Sequence, residues 1–408
     1  MMENPTLTRQ IYLDKILPFV DKPLVKVFTG IRRCGKSMLL KLLEIELRRR
    51  GVKDRQILSL NFESMKYDEI KDYTDLYALV KTAVKTARGR LYILLDELQD
   101  ISGWEKAVNS FLIDFDCDVY VTGSNANLLA SEFATHIAGR YVEIRIYPLT
   151  FAEFLDFAAH HPDERDFSRD RHWQNYLRFG GMPGIHALNW DETQIDQYLT
   201  DIFNSVLLKD VIQRHGIREP EQLERLLRFV FDNLGNTFSA KTIADYAKNQ
   251  GRAISNDTVH NFLRALEGAY VIQKAARFDV KGKRLLATQE KYFIADLGIR
   301  HALLGYRDND IAGLLENIVF TQLCVDGYTV RIGKIGAAEI DFIAEKREER
   351  RYLQVCYLLT AGVMEREFSP LEAIPDNYEK IVLSLDATPE FNRNGVIRRS
   401  LIDFLLKK

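Results

Sequence analysis

Cysteine is scarce in this chain: Cys34, Cys117, Cys324 and Cys356 are the four in 408 residues. They stand far apart and show no paired metal-ligand spacing, so neither a zinc site nor a disulfide framework organises the fold. A reducing, cytoplasmic compartment is the matching expectation. Long apolar runs are missing too. No stretch is long enough to span a bilayer, and Met1-Met2-Glu3-Asn4-Pro5 lacks a signal-peptide pattern, so no membrane partner is expected. Nor is there an excess of charge of either sign: 56 Lys and Arg meet 58 Asp and Glu, a formal net charge of −2. Overall basicity does not advertise nucleic acid, and any such surface must be local. At 408 residues the chain exceeds one ordinary core, which predicts two to four domains.

Against these absences one stretch stands out. Residues 27–37 contain G-x-x-x-x-G-K-S from Gly30 to Ser37. Gly30 and Gly35 lack a Cβ, so the backbone between them can turn its N–H groups inward around phosphate oxygens. Ile31, Arg32, Arg33 and Cys34 fill the loop, Lys36 reaches the β and γ phosphates, and Ser37 offers a hydroxyl to Mg²⁺. The apolar run 24–28 reads as a strand entering the loop. Ser37-Met38-Leu39-Leu40 opens a helix whose N-terminus adds its positive dipole end. A glycine turn that merely precedes Lys-Ser is the bland alternative, and it leaves the flanking strand and helix unaccounted for. The pattern predicts a nucleoside triphosphate as ligand.

A second motif adds an acid pair. Leu91-Tyr92-Ile93-Leu94-Leu95-Asp96-Glu97 is an apolar strand ending in two carboxylates. A strand apolar on both faces suits the inside of a parallel sheet. Asp96 is placed to hold the Mg²⁺ shell and Glu97 to orient and deprotonate water. The bland reading makes both simply the polar end of a core strand. Further strands over 56–62 and 118–125, alternating with helical segments, predict a parallel sheet covered by helices, with ligands at the strands' carboxyl ends. Asn125 sits at one such end. It is placed either to touch the γ-phosphate or as an ordinary Gly-Ser-Asn turn residue.

Taken in order, these motifs, with Thr122-Gly123-Ser124-Asn125, Ala138-Gly139-Arg140-Tyr141 and Tyr147-Pro148-Leu149-Thr150-Phe151, resemble the bacterial and archaeal AAA-type ATPases. The resemblance is to the group with an N-terminal AAA module and a C-terminal domain of unknown function, and it extends over nearly the whole chain. It implies ATP and Mg²⁺ as cofactors, with ATP preferred over GTP, and Asn125 as sensor of the γ-phosphate. It further implies that Arg140 stabilises transition-state charge, in cis or from a neighbouring subunit of a homo-oligomer. Arg140 paired with a carboxylate such as Glu143 is the competing structural reading. Arg9 is suggested as a contact near the nucleotide, and Gly181-Met182-Pro183 resembles a turn laid against the nucleotide base, with Pro183 the touching residue. A helix-breaking connector is the other reading of that turn.

The remainder divides by pattern. Residues 185–230 show apolar spacing of three and four, and 153–230 are expected to form a helical lid or linker. Over 231–304, two capped helices precede two strands joined at Lys281-Gly282-Lys283-Arg284, which predicts a winged helix. Between 235 and 300 stand 11 Lys and Arg and 6 Asp and Glu, a net of 11 − 6 = +5. That excess suits duplex DNA, with Asn256, Asp257, Thr258, His260, Asn261 and Arg264 on or near a recognition helix. Winged helices also serve purely as packing elements. In residues 305–408, Glu316 and Asp341 match the carboxylates of restriction-endonuclease-like α/β folds, which bind Mg²⁺. The third element reads Gln354-Val355-Cys356 instead of Glu-x-Lys, and Cys356 cannot replace an ammonium. A catalytically inactive nuclease-like domain is therefore expected. The architecture expected is α/β: a P-loop NTPase parallel sheet over 1–152, lid, winged helix and nuclease-like domain. ATP hydrolysis driving a switch or motor is the activity expected of it. A DNA-binding module with structural ATP and an ATP-gated nuclease are the alternatives.

Overall fold

A computed structural model describes residues 8–124, 137, 139–249, 251–282, 284–307 and 310–407. The chain forms two compact units. The first comprises Met1–Ile146 with Gly268–Tyr270, and the second Tyr147–Glu267 with Val271–Lys408.

The first unit is built on β1 (Val25–Thr29), β2 (Ile57–Asn61), β3 (Leu91–Asp96), β4 (Cys117–Gly123) and β5 (Tyr141–Arg145). They form one sheet in the order β2-β3-β4-β1-β5, every pairing parallel. Parallel strands need crossover connections that cover both faces, so their interior positions are apolar on both sides. Accordingly β1 and β3 are buried at every residue. On one face Val25, Val27, Ile93, Leu95, Val119 and Val121 pack with the helices Tyr73–Ala87 and Trp104–Asp114 through Leu76, Val80, Trp104 and Phe111. Strand order and direction place the carboxyl ends of β1 and β3 on one edge, with β4 between them.

The second unit begins with helices at Phe151–His160, Arg169–Phe179, Glu192–Ser205 and Pro220–Asp232, the third running on into a π-helical stretch at Val206–Gln213. A short β6 (Thr237–Phe238) precedes the helices Ala240–Asn249 and Asn256–Gly268. Ser239 and Ser255 cap them, accepting from the amides of Thr242 and Thr258 at 3.2 and 3.1 Å. Next come β7 (Ile272–Asp279) and β8 (Arg284–Ile294), then β9 (Thr329–Ile335), β10 (Ala338–Lys346), β11 (Glu349–Cys356), β12 (Glu379–Ser384), β13 (Phe391–Arg393) and β14 (Val396–Ser400). The helix–helix–hairpin order follows the pattern of residues 231–304, but the hairpin is not a free flap. β7 pairs with β9 from Arg277↔Ile332 to Asp279↔Lys334, and one nine-stranded sheet runs β13-β14-β12-β11-β10-β9-β7-β8-β6. The segments expected to divide at 304/305 therefore share a sheet. Local periodicity reports the hairpin and not the third strand that arrives from far along the chain.

Alternation along β1 turns Lys26 away from the helices packed on Val25 and Val27, yet this position is also fully buried. Its ammonium pairs with Asp118 on β4, both side chains at 0% exposure, and donates to Lys22 O at 2.9 Å. Asp118 also accepts from Tyr120 Oη at 2.7 Å and Asp21 N at 2.8 Å. Burial pulls the Lys26 pKa below its ordinary value, and Asp118 counters it. Removing one partner of such a pair strands the other charge, at a cost of about 3–5 kcal/mol. Asp118→Ala is expected to lower the unfolding free energy of the chain by about that amount in urea melts, and Lys26→Met/Asp118→Leu to recover part of it. Equal stability of Asp118→Ala and the parent would contradict this account.

Candidate functional site

The loop after β1 has the geometry that its glycines allow. Gly30 adopts φ +143° and Gly35 φ +105°, and a Cβ at Gly30 would lie 2.2 Å from Ile146 O. Only glycine fits a position so close to a neighbouring backbone. Gly35 leads directly into the helix Lys36–Arg49. Lys36 is 4% exposed and donates to Gly30 O at 2.9 Å and Ile31 O at 3.1 Å, so its ammonium lies across the loop's own carbonyls. Ile31 and Cys34 are buried, and Cys34 Sγ lies 3.5 Å from Ile146 O. Arg9, itself 2% exposed, donates to Cys34 O at 3.0 Å. Thus Arg9 braces the loop from behind. Arg33 (φ +67°) and Met38 are exposed, and Arg32 pairs with Glu63 at 3.3 Å.

The acid pair meets this loop. Ser37 Oγ donates to Asp96 Oδ1 at 3.1 Å, which brings the ends of two distant motifs into contact. Asp96 is 5% exposed and accepts two more hydrogen bonds, from Thr122 Oγ1 at 2.6 Å and Asn61 Nδ2 at 3.0 Å. Burial raises its pKa despite the Thr122 and Ser37 bonds, which pull it down. Glu97 follows at φ +55°, a left-handed conformation unusual for a side chain of this size. It is held there from both ends: its N–H donates to Thr122 Oγ1 at 3.0 Å, and its Oε2 accepts from Gln99 Nε2 at 2.5 Å. Thr122 thereby ties the two acids together. The motifs alone do not single out Asn61, Thr122 or Gln99. Only strand order reveals Asn61 and Thr122, because β2 and β4 flank β3. The oxygen donors Ser37, Asp96 and Thr122 suit a hard cation such as Mg²⁺, and the glycine cradle suits phosphate.

Other expected site residues lie differently. Arg140 is exposed in side chain, while its carbonyl accepts from Val25 N at 2.8 Å. Glu143, its supposed structural partner, instead accepts from Thr29 Oγ1 at 2.6 Å and from Tyr270 Oη at 3.3 Å. Asn125 lies outside the described residues. Pro183 is half-buried in the second unit, where its neighbouring glycines have a local reason to be glycine. Gly181 N donates to Asp296 Oδ2 at 2.7 Å, and a Cβ at Gly180 would come within 2.4 Å of Asp296.

A parallel sheet with a P-loop after β1 and paired acids at the end of β3 is the arrangement of a P-loop nucleotide-binding fold. A family model described as an AAA domain matches residues 22–155, and one described as a domain of unknown function matches 170–310. An uncharacterized protein of Haemophilus influenzae is 36% identical over 406 residues, covering 100% of both chains, and the chain belongs to one family with it. An uncharacterized protein of Methanocaldococcus jannaschii is 29% identical over 362 residues, 86% of this chain and 79% of its own. Among solved structures, a Walker-type ATPase of Pyrococcus abyssi shares the fold at a TM-score of 0.54 and 16% identity, over 73% of this chain and 96% of its own. No helix of the described residues is long and apolar enough to cross a membrane.

Thr122→Val keeps the shape at the junction and removes both of its hydrogen bonds to the acids. A net hydrogen bond to a charged group contributes about 1.5–3 kcal/mol, so nucleotide affinity in Mg²⁺ is expected to weaken by roughly 10- to 100-fold. Titration with a fluorescent ATP analogue checks it, and unchanged affinity would mean that Thr122 does not position Asp96.

Proposed function

We propose that the chain hydrolyses ATP in a Mg²⁺-dependent manner and works as a nucleotide-driven switch. One observation carries the reading: the hydrogen-bonded run Ser37–Asp96–Thr122–Glu97, which joins a P-loop hydroxyl to the Asp96 carboxylate and, through Thr122, to the backbone N–H of Glu97. Ser37 and Asp96 would hold the Mg²⁺ that accompanies ATP. Bound there, the cation neutralises charge on the β and γ phosphates. The backbone N–H groups between Gly30 and Ser37 would take the phosphate oxygens. Lys36 would exchange its bonds to the Gly30 and Ile31 carbonyls for bonds to phosphate. Glu97 would orient the attacking water and accept its proton, held in register by Gln99 and the Thr122 bond. Asn125 would sense the γ-phosphate. Arg140, exposed in this chain, would stabilise transition-state charge in cis or on a second copy of a homo-oligomer.

Switching would act through the second unit. Duplex DNA is the proposed partner there, through Asn256, Asp257, His260, Asn261 and Arg264. All five are exposed on or beside the helix whose other side buries Val259, Phe262 and Leu263, and Thr258 is half-buried beside them. The local charge of +5 supports the same surface.

ATP turnover with and without duplex DNA, in the parent and in Glu97→Gln, tests both parts. Loss of a general base costs about 10²–10⁴ in rate, so Glu97→Gln is expected to lose turnover while nucleotide affinity stays within a few-fold. DNA is expected to stimulate the parent, and Arg264→Ala to weaken that stimulation. Tight ATP binding without turnover in the parent would remove the switch and leave a module in which ATP is structural.

A further inference from the structure

The helix Asn256–Gly268 ends on a position that glycine normally fills. Val271 N donates to Leu266 O at 3.0 Å and closes the last turn. Within that closure Tyr270 adopts φ +59°. A helix stop of this pattern puts its penultimate residue in the left-handed region, where a Cβ is crowded and glycine is preferred. Stopping the helix would be better served by glycine, so the tyrosine side chain is kept for what it touches. Backbone strain at a bulky residue persists only where its surroundings hold it, and such positions gather at switches.

What Tyr270 touches lies at the entry to the phosphate loop. Its side chain is buried, with the Arg145 guanidinium 4.9 Å from the ring centroid. Its hydroxyl donates to Glu143 Oε1 at 3.3 Å. Glu143 and Arg145 stand two apart on β5, so both project from the same side of the strand. The same Glu143 oxygen accepts from Thr29 Oγ1 at 2.6 Å. Thr29 is fully buried, ends β1 and directly precedes Gly30. Its carbonyl accepts from Ile146 N at 2.7 Å, and the Ile146 carbonyl is the one against which Gly30 packs. One carboxylate oxygen therefore holds two hydroxyls, one from the loop's entry and one from the helix's end. Burial first, then the charge of Glu143, raise the Tyr270 pKa, so the hydroxyl keeps its proton and remains the donor.

The chain leaves little slack around Tyr270. Only Ala269 separates it from the last residue of the helix, and only Val271 from the first of β7. Gly268–Tyr270 belongs to the first unit, while residues 256–267 and β7 belong to the second. No loop is present on either side to absorb a displacement of the ring. The same helix carries the exposed Asn256, Asp257, His260, Asn261 and Arg264.

On the basis that ATP occupies the phosphate loop, we infer that Tyr270 is the positioning residue that couples nucleotide occupancy to the helix Asn256–Gly268. Phosphate entering the loop shifts Thr29 together with Gly30. The shared Glu143 oxygen passes that shift to Tyr270, and Tyr270 moves the end of the helix. Linkage makes the effect reciprocal: whatever the helix holds changes nucleotide affinity by the same factor.

Hydrogen exchange of the full chain, with and without a non-hydrolysable ATP analogue and Mg²⁺, tests the coupling. The parent, Tyr270→Phe and Thr29→Val are compared, each saturated with the analogue. Both substitutions keep the shape and remove one hydroxyl, and thermal melts establish that each variant folds. In the parent the analogue is expected to slow exchange in residues 30–37. It is also expected to slow the helix Asn256–Gly268 by about fivefold or more, the lower end of coupling between sites. In both variants the loop stays protected while the helix response falls below about twofold. A tyrosine that only packs would change exchange equally with and without nucleotide. An undiminished helix response in either folded variant would overturn the inference. So would a parent whose loop is protected and whose helix does not respond. A parent without protection in the loop would remove ATP as the ligand, and the coupling with it.

Discussion

A carboxylate taken almost wholly out of water must be matched by donors, and the first unit is arranged around that requirement at Asp96. Three side chains meet it: Ser37 from the P-loop, Thr122 from β4 and Asn61 from β2. Each reaches Asp96 only because the strands run parallel in the order β2-β3-β4-β1. In that order the sheet collects residues from four separate parts of the chain at one edge. Burial still raises the Asp96 pKa, and the bonds from Thr122 and Ser37 offset part of that desolvation penalty. A cation reaching that edge would find the charge already oriented.

Much of this unit was legible in the sequence, for physical reasons. A phosphate cradle needs glycine at fixed spacing, and a buried parallel strand must be apolar on both faces, so Gly30–Ser37 and Leu91–Glu97 announce themselves. The residues that escaped notice act across strands. Thr122 and Asn61 are ordinary strand residues until the order of the sheet is known, and Gln99 is an ordinary polar residue until Glu97 turns into the left-handed region. The glycines around Pro183 illustrate the converse. Their pattern suits a ligand-binding turn, while Gly180 and Gly181 sit against Asp296 within the second unit.

In the second unit the same distinction explains the boundary at 304/305. Helix caps and a hairpin turn are local signals, and they appear at Ser239, Ser255 and between β7 and β8 as periodicity suggests. Pairing of β7 with β9 is not local, and it merges two segments that composition separates. That merger also carries Lys291 to the carboxylates of β10 and of the helix Ile311–Val325.

The tripeptide Gly268–Tyr270 belongs to the first unit although its chain neighbours belong to the second. Tyr270, at φ +59° and 6% exposed, reaches Glu143, which in turn takes the hydroxyl of Thr29 at the entry to the P-loop. The body of the first unit is therefore not one uninterrupted stretch of chain. Recombination that transplanted residues 1–146 alone would leave behind a piece of the body's own interior. On this view the two units are inherited together, and a change in one is selected in the company of the other.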